Sequence, residues 1–252
     1  MNVPAIRVLG VSRSFGPVEV LREISLEIQT GEFLAIVGPS GCGKTTLLNL
    51  LSGFDKPTSG AIVREGQVRM VYQQDGLFPW QTVAKNIALG LRHVKSESAR
   101  TQQVQELLRL IRLAEFGHHY PHQLSGGMRQ RVELARALAG SSDILLMDEP
   151  FSSLDYLTRL RLRQELSRIL DERPRTAILV THDIEEAAQL ADRVVVLSES
   201  PAQIRREVSI AAPRPRDPTE PAVVRAIQLI LNELDIEPDA GEYAGARSNE
   251  KE

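Results

Sequence analysis

An α/β fold carrying a second, antiparallel sheet and an inserted helical lobe is what this sequence predicts, and three observations predict it. Short apolar runs without polar alternation, "FLAIV", "ILLM", "TAILV" and "RVVVL", recur between longer helix-like stretches. That is the pattern of parallel strands buried on both faces. Near the N-terminus, "AIRVLGVSRSF" and "VLREISLEI" alternate apolar and polar residues instead, as strands with one wet face do. From about residue 82 to 138 the strand signal stops, and helical periodicity takes over.

Taken in chain order, the two alternating runs form the antiparallel sheet and "FLAIV" is the first buried strand, followed by the helix-like "TLLNLL". In the inserted lobe, "SESARTQQVQELLRLIRLAEF" places Val104, Leu107, Leu108, Ile111 and Leu113 on helical spacing, with Ser96 or Ser98 as the cap. The remaining buried strands follow. After "RVVVL" come a strand-like "QIRREVSI", the proline-rich "APRPRDPTEP" and a helix from about residue 222 to 234. One domain is expected over residues 1–235, with the lobe inserted at about 82–138. Residues 236–252 are polar and rich in Gly and Ala, a composition that does not build a core. There is no internal repeat.

Bulk properties narrow the function classes. A chain of 252 residues, 42% hydrophobic, buries a substantial core. Its net charge of -3 supplies no general basic field for nucleic acid. The single cysteine, Cys42, excludes an intrachain disulfide and suits a reducing compartment. The opening "MNVPAIRVLG" has no basic segment ahead of an apolar one, and no apolar run approaches the ~18 residues of a membrane span. Work at a membrane would therefore need another protein as anchor.

The chemistry starts at "GPSGCGKT", between a strand-like and a helix-like run. Gly38, Gly43, Lys44 and Thr45 match G-x-x-x-x-G-K-[ST] in the strand, loop, helix setting that this motif requires. Glycines let successive backbone N–H groups turn inward around an anion, and the helix that follows adds its positive N-terminal end. The cradle comprises Gly38, Pro39, Ser40, Gly41, Cys42, Gly43, Lys44, Thr45 and Thr46. Lys44 would reach the terminal phosphates and Thr45 would ligate Mg²⁺. Cys42 lies near a helix N-terminus, a setting that can lower a thiol's pKa, but it occupies a variable loop position and is read as a bystander, although alkylation there is expected to block ATP. Further on, "ILLMDEP" closes a buried strand with two carboxylates. Asp148 would orient the Mg²⁺ shell, and Glu149 would act as general base toward the attacking water.

With "LSGGMRQRVELARAL" at residues 124–138, the chain resembles the ATP-binding cassette (ABC) family of transporter ATPases. In physical terms Ser125, Gly126 and Gly127 open a helix whose free N–H groups make a second anion site. The resemblance implies a P-loop NTPase cassette with a RecA-like core. It also implies a head-to-tail dimer in which this second site closes over the γ-phosphate held by the other copy. Gln73 in "VYQQDGLFPW" then matches a glutamine at the Mg²⁺ and water site, with Gln74 as the alternative register. Asp155 in "SSLD" matches a loop that crosses the dimer, and His182 in "LVTHD" the switch histidine at the γ-phosphate. Phe15 stands where the family stacks an aromatic on adenine; a buried core position is the competing reading.

The same resemblance extends to partners. "GLFPWQTVAKNIALGL" and "RPRDPTEPAVVRAIQLILNEL" are similar to the branch that serves nitrate, sulfonate and taurine import, although "AIVREGQ" after "PTSG" is shorter than the usual hairpin there. It implies an importer's ATPase on the cytoplasmic face of the inner membrane, bound to separate transmembrane permease subunits and indirectly to a substrate-binding protein. The run Leu77, Phe78, Pro79 and Trp80 either lines the groove that receives a permease helix or packs in the core. A soluble ABC ATPase that remodels a protein or nucleic-acid complex is the alternative function. "HHYPH" at 118–122 has the look of a metal cluster, but it lacks acidic or thiol partners and is read as a connector to the signature helix.

Overall fold

The structure is a computed structural model that describes residues 3–72, 76–152, 154–172 and 174–235. Gln73 and Gln74, and the expected tail at 236–252, lie outside the described residues.

Two sheets form, as the patterning requires. The first is antiparallel, in the order β2–β1–β4, built from β1 (Pro4–Phe15), β2 (Val18–Gln29) and β4 (Ser59–Arg64). Its inner face carries Ile6, Val8, Leu21, Leu26 and Ile28, all buried, while Leu9 and Val18 face outward. The second has six strands in the order β5–β6–β7–β3–β8–β9. Within it β3 (Phe33–Val37), β5 (Val68–Val71), β6 (Ile144–Asp148), β7 (Thr176–Val180) and β8 (Arg193–Leu197) run parallel, and β9 (Ile204–Ser209) pairs antiparallel with β8 at the edge.

The period of two along each central strand divides its side chains between two cores. Leu34, Ile36, Ile144, Leu146, Ile178 and Val180 face the antiparallel sheet and α1 (Lys44–Ser52). Ala35, Val37, Leu145, Met147 and Leu179 face the opposite layer, which contains α5 (Tyr156–Glu172), α6 (Ile184–Leu190) and α7 (Pro221–Glu233). Because both faces are covered, the central strands read as unbroken apolar runs rather than as alternating ones.

The helical lobe consists of α2 (Val83–Ala88), α3 (Glu97–Leu110), α4 (Gly126–Ala139) and short 3-10 turns. It has its own core of Val83, Ile87, Leu91, Val104, Leu108 and Val132. Ser96 is the cap of α3, its hydroxyl accepting from the Ala99 N–H at 3.3 Å. α4 belongs to both bodies: Val132 and Ala135 pack into the lobe, whereas Leu134 and Leu138 pack on the parallel sheet's core. Gly90 lets the chain after α2 approach α4 closely, since a Cβ there would stand 2.3 Å from the Arg136 carbonyl oxygen and 2.8 Å from Ala139 Cβ. Gly90→Ala must therefore push α4 away from α2. It is expected to lower stability by about 1–3 kcal/mol, the usual scale of overpacking, read as a reduced urea midpoint; an unchanged midpoint would refute this tight approach.

Candidate active site

The carboxyl ends of three neighbouring strands, β6, β7 and β3, carry the motif residues to one edge of the parallel sheet, where ligands of open α/β folds bind. Pairing fixes their level: Asp148 stands opposite Val180, and Val180 opposite Ile36. The Glu149 N–H donates to the Val180 carbonyl at 2.9 Å, and the Thr181 N–H to that of Ile36 at 3.2 Å. These bonds hold Glu149 and His182 over the loop that follows β3.

That loop forms an open cleft of about 760 Å³ lined by Ser40, Gly41, Gly43, Lys44, Thr45, Thr46, Glu149, His182 and Val20. Gly43 caps α1 at φ 111°, and a Cβ added to it would come within 2.7 Å of Val20 Cγ1. Glycine is thus required there both for its conformation and for contact with β2. Gly38 is required by space, because a Cβ would meet Cys42 Sγ and the Leu197 carbonyl oxygen at 3.0 Å. Lys44 is held over the loop by donating from Nζ to the carbonyls of Gly38 at 2.8 Å and Pro39 at 2.9 Å, which leaves its third donor uncommitted.

Cys42 is the bystander that the sequence reading expects, and only the expected effect of its alkylation is corrected. Its thiol is buried against the core below the loop, and burial pushes its pKa up. It is neither reachable by an alkylating reagent nor activated as a thiolate. The helix N-terminus does not overcome desolvation here, since the side chain points away from the cradle into apolar packing.

The carboxylates meet the loop as their order implied. Thr45 Oγ1 donates to Asp148 Oδ1 at 3.3 Å, so two oxygen groups of the kind that hold Mg²⁺ stand side by side. Burial is the largest influence on Asp148 and raises its pKa, with the Thr45 hydrogen bond opposing. Glu149 Oε1 lies 3.1 Å from His182 Nδ1. Glu149 has φ 46°, a left-handed backbone that costs a residue with a Cβ on the order of 1 kcal/mol. Hydrogen bonds to both its N–H and its carbonyl, the latter from Gln130 Nε2 at 3.0 Å, keep it in place. The cleft's size, its left-handed glycines and the Thr45–Asp148 pair fit a nucleoside triphosphate with a hard divalent cation.

Other motif residues stand apart from this cleft. Ser125 caps α4 by accepting from the Met128 N–H at 3.3 Å, and Ser125 and Gly126 are exposed. Ser125, Gly126, Gly127 and Asp155 are absent from the lining of the cleft. Asp155 caps the start of α5 through the Thr158 N–H, and these hydrogen bonds lower its pKa. Phe15 is 50% exposed at the turn between β1 and β2, with the Arg13 guanidinium 4.4 Å above its ring, so the core reading of this residue fails. The run at 77–80 splits: Leu77 is buried in the lobe, whereas Phe78 and Trp80 are exposed with ring centroids 5.3 Å apart.

Comparison with known proteins now decides the family. Residues 21–152 match the family described as ABC transporter. The chain belongs to the ABC transporter family. This ABC ATPase is 42% identical over 226 residues to the aliphatic sulfonates import ATP-binding protein SsuB 1 of Agrobacterium fabrum, covering 89% of this chain and 81% of that protein. It is 44% identical over 214 residues to the nitrate import ATP-binding protein NrtD of Synechococcus elongatus, covering 80% and 78%. Among solved structures, a dimeric post-hydrolysis state of the ATP-binding cassette MJ0796 bound to ADP and Pi superposes with a TM-score of 0.74 at 32% identity, covering 82% of this chain and 99% of that one.

Several supporting residues of this ABC ATPase escape motif reading. Gln130 reaches from α4 to the Glu149 carbonyl and so ties α4 to the end of β6. Asn86, fully buried, accepts from the Phe78 N–H and donates to the carbonyls of Phe78, Gln81 and Thr82, and thereby sets the turn that presents Phe78 and Trp80. The loop after His182 is fixed by Asp183, which caps α6 through the Glu186 N–H at 2.9 Å and pairs with Arg163 and Arg159 of α5. The D-x-x-E spacing of Asp183 and Glu186 is a capping signal visible in sequence, but its arginine partners are not.

Glu186 accepts from Thr181 Oγ1 at 3.1 Å and from Arg163 at 3.3 Å. Even so, desolvation dominates and its pKa is pushed up to about 7. The folded protein therefore retains this proton where the unfolded chain has lost it, so this group's contribution to stability falls as pH rises from the ordinary glutamate value of 4.5 to about 7 and then levels off. Glu186→Gln removes the titration. The melting temperature of this variant relative to the parent should move in the variant's favour between pH 5 and pH 8, and a pH-independent difference would count against the buried carboxyl as its cause.

Proposed function

We propose that this ABC ATPase is the energy-coupling subunit of a small-molecule importer of the sulfonate, nitrate or taurine type. It binds ATP in the cleft after β3, dimerises head to tail around two ATP molecules, and drives separate permease subunits at the cytoplasmic face of a membrane. The observation that carries this reading is the separation of two anion-binding elements. The cradle, Glu149 and His182 line one cleft, while the N-terminus of α4 opens to solvent outside it. A second copy brings that exposed end to the γ-phosphate, and the dimeric neighbour bound to ADP and Pi supports such an arrangement.

In this mechanism the loop N–H groups and Lys44 hold the phosphates, and Phe15 stacks on the adenine. Thr45 and Asp148, with Gln73, would hold Mg²⁺, which when bound would supply charge neutralisation at the phosphates. Glu149 takes a proton from the attacking water as the water oxygen bonds to the γ-phosphorus and the bond to the β–γ bridging oxygen breaks. His182, in contact with Glu149, positions that carboxylate and the γ-phosphate relative to the water. Ser125, Gly126, Gly127 and Asp155 of the other copy complete the site. Loss of the γ-phosphate contacts then lets the copies part, and the permease follows.

The import role draws on the sulfonate and nitrate relatives and on the exposed Phe78–Trp80 pair. Phe78 lines a groove of about 550 Å³ between the lobe and β5, together with Gly76, Arg92 and Glu133. An exposed aromatic pair beside a groove suits a helix from a permease. No described helix is long and apolar enough to cross a membrane, which fits a role for separate permease subunits.

Glu149→Gln is expected to lower ATP turnover about 10²-fold or more while ATP binding persists and the dimer accumulates in size-exclusion chromatography; normal turnover would remove Glu149 as the base. Lys44→Ala should abolish nucleotide binding in equilibrium dialysis, and retained tight binding would contradict the cradle. Ser125→Arg should bind ATP without turnover. Partial recovery on mixing it with the Glu149→Gln protein is the expected mark of composite sites, and no recovery would argue for a site complete in one chain. Co-purification with a polytopic membrane protein is expected for the importer, and a soluble partner alone would favour remodelling.

A further inference from the structure

Behind the signature helix, on the seam where the helical lobe meets α5, lies a pocket of about 440 Å³ that the ATPase reading does not use. Four arginines line it: Arg109 and Arg112 at the end of α3, Arg131 of α4 and Arg161 of α5. Among the described residues, the guanidiniums of Arg109, Arg112 and Arg161 have no hydrogen-bond or ion-pair partner. The one carboxylate in the lining, Glu165, is turned to Arg168, from which it accepts at 3.1 and 3.2 Å. The negative charge felt by Arg131 is that of Asp155, whose oxygen is engaged by the Thr158 N–H.

Arg131 is anchored rather than free. Its Nη1 donates to the Ile111 carbonyl at 2.9 Å and its Nε to that of Gly127 at 3.4 Å, so it forms a fixed floor with the other three at the rim. Arg112 is placed at a cost. It adopts φ 55° where α3 ends, its N–H bonding the Arg109 carbonyl at 3.0 Å while the Leu113 N–H bonds that of Leu108 at 2.8 Å. That helix-ending motif favours glycine at this position, and here an arginine occupies it with its side chain unpaired.

We propose that this pocket binds a small molecule bearing two or more phosphate groups, gripped by Arg109, Arg112, Arg131 and Arg161 across the seam between lobe and core. The planar, forked donors of arginine match phosphate oxygens in pairs, and the volume falls within the range of small-molecule sites. One monovalent anion would leave most of these guanidiniums uncompensated. Inorganic polyphosphate and organic bisphosphates present the same chemistry. Bound there, either would link α3 and α4 to α5, one turn from Gly127 on one side and less than two turns from Asp155 on the other.

The test is calorimetric titration of the full chain carrying Lys44→Ala, which disables the ATP cradle, with inorganic pyrophosphate and, separately, with fructose 1,6-bisphosphate. Saturable binding is expected for at least one, and the tighter of the two names the source. Arg109→Gln combined with Arg112→Gln and Arg161→Gln should weaken that binding at least tenfold, and Arg161→Gln alone several-fold with an unchanged circular dichroism spectrum. A charge-matched control replacing Arg7, Arg205 and Arg225 should stay within about twofold of the parent. No saturable binding of either probe, equal loss in the charge-matched control, or no loss on replacing the pocket arginines would overturn the site. None of these outcomes depends on ATP turnover, so failure here leaves the importer reading standing, and failure of that reading leaves this pocket testable.

Discussion

Everything in the candidate site depends on the register of three parallel strands. β3, β7 and β6 pair so that Ile36, Val180 and Asp148 lie at one level, and the residues just beyond that level are the phosphate loop, His182 and Glu149. A slip of one residue would turn each apolar side chain to the opposite core. Because both cores are filled, on one side by the antiparallel sheet and α1 and on the other by helices, such a slip is excluded. Precision at the cleft thus comes from apolar packing well below it.

The second constraint is α4, which belongs to two bodies. Its N-terminus presents Ser125 and Gly126 to solvent, its middle sends Gln130 to the Glu149 carbonyl and Arg131 to the Ile111 carbonyl, and its end lies against Gly90. Any shift of the lobe is thereby felt at Glu149. The same helix forms a wall of the groove beside Phe78 and the floor of the arginine pocket. Nucleotide, permease and anion sites would all report to one rigid rod, a physical route for coupling that needs no further device.

Charge is distributed unevenly around this rod. Arg163 and Arg159 pair with Asp183 and, for Arg163, with Glu186, and this cluster braces the turn that carries His182. Breaking one partner of such a cluster strands a charge in apolar surroundings. The arginines at the seam are the opposite case, drawn together with little compensation, and the Arg112 backbone is strained to place one of them.

Motif residues were legible in the sequence because phosphate chemistry demands particular groups at particular spacings: Gly38, Gly43, Lys44 and Thr45 in one loop, Asp148 and Glu149 at a strand end. Both sheets and the lobe were also legible, since burial on one face or two leaves a period in the chain, and so was a serine cap at 96 or 98, which the structure places at Ser96. What sequence could not show is contact between distant segments. The exposure of Phe15, the burial of the Cys42 thiol, the division of Leu77 from Phe78 and Trp80, and the meeting of Arg109 and Arg112 with Arg161 all follow from how helices cross and strands stack. Local chemistry is written in neighbouring residues and so the sequence alone determined the glycine-rich loop motif and the paired carboxylates at a strand end; which side chains are buried, paired or left facing a pocket was decided only when packing brought remote residues together.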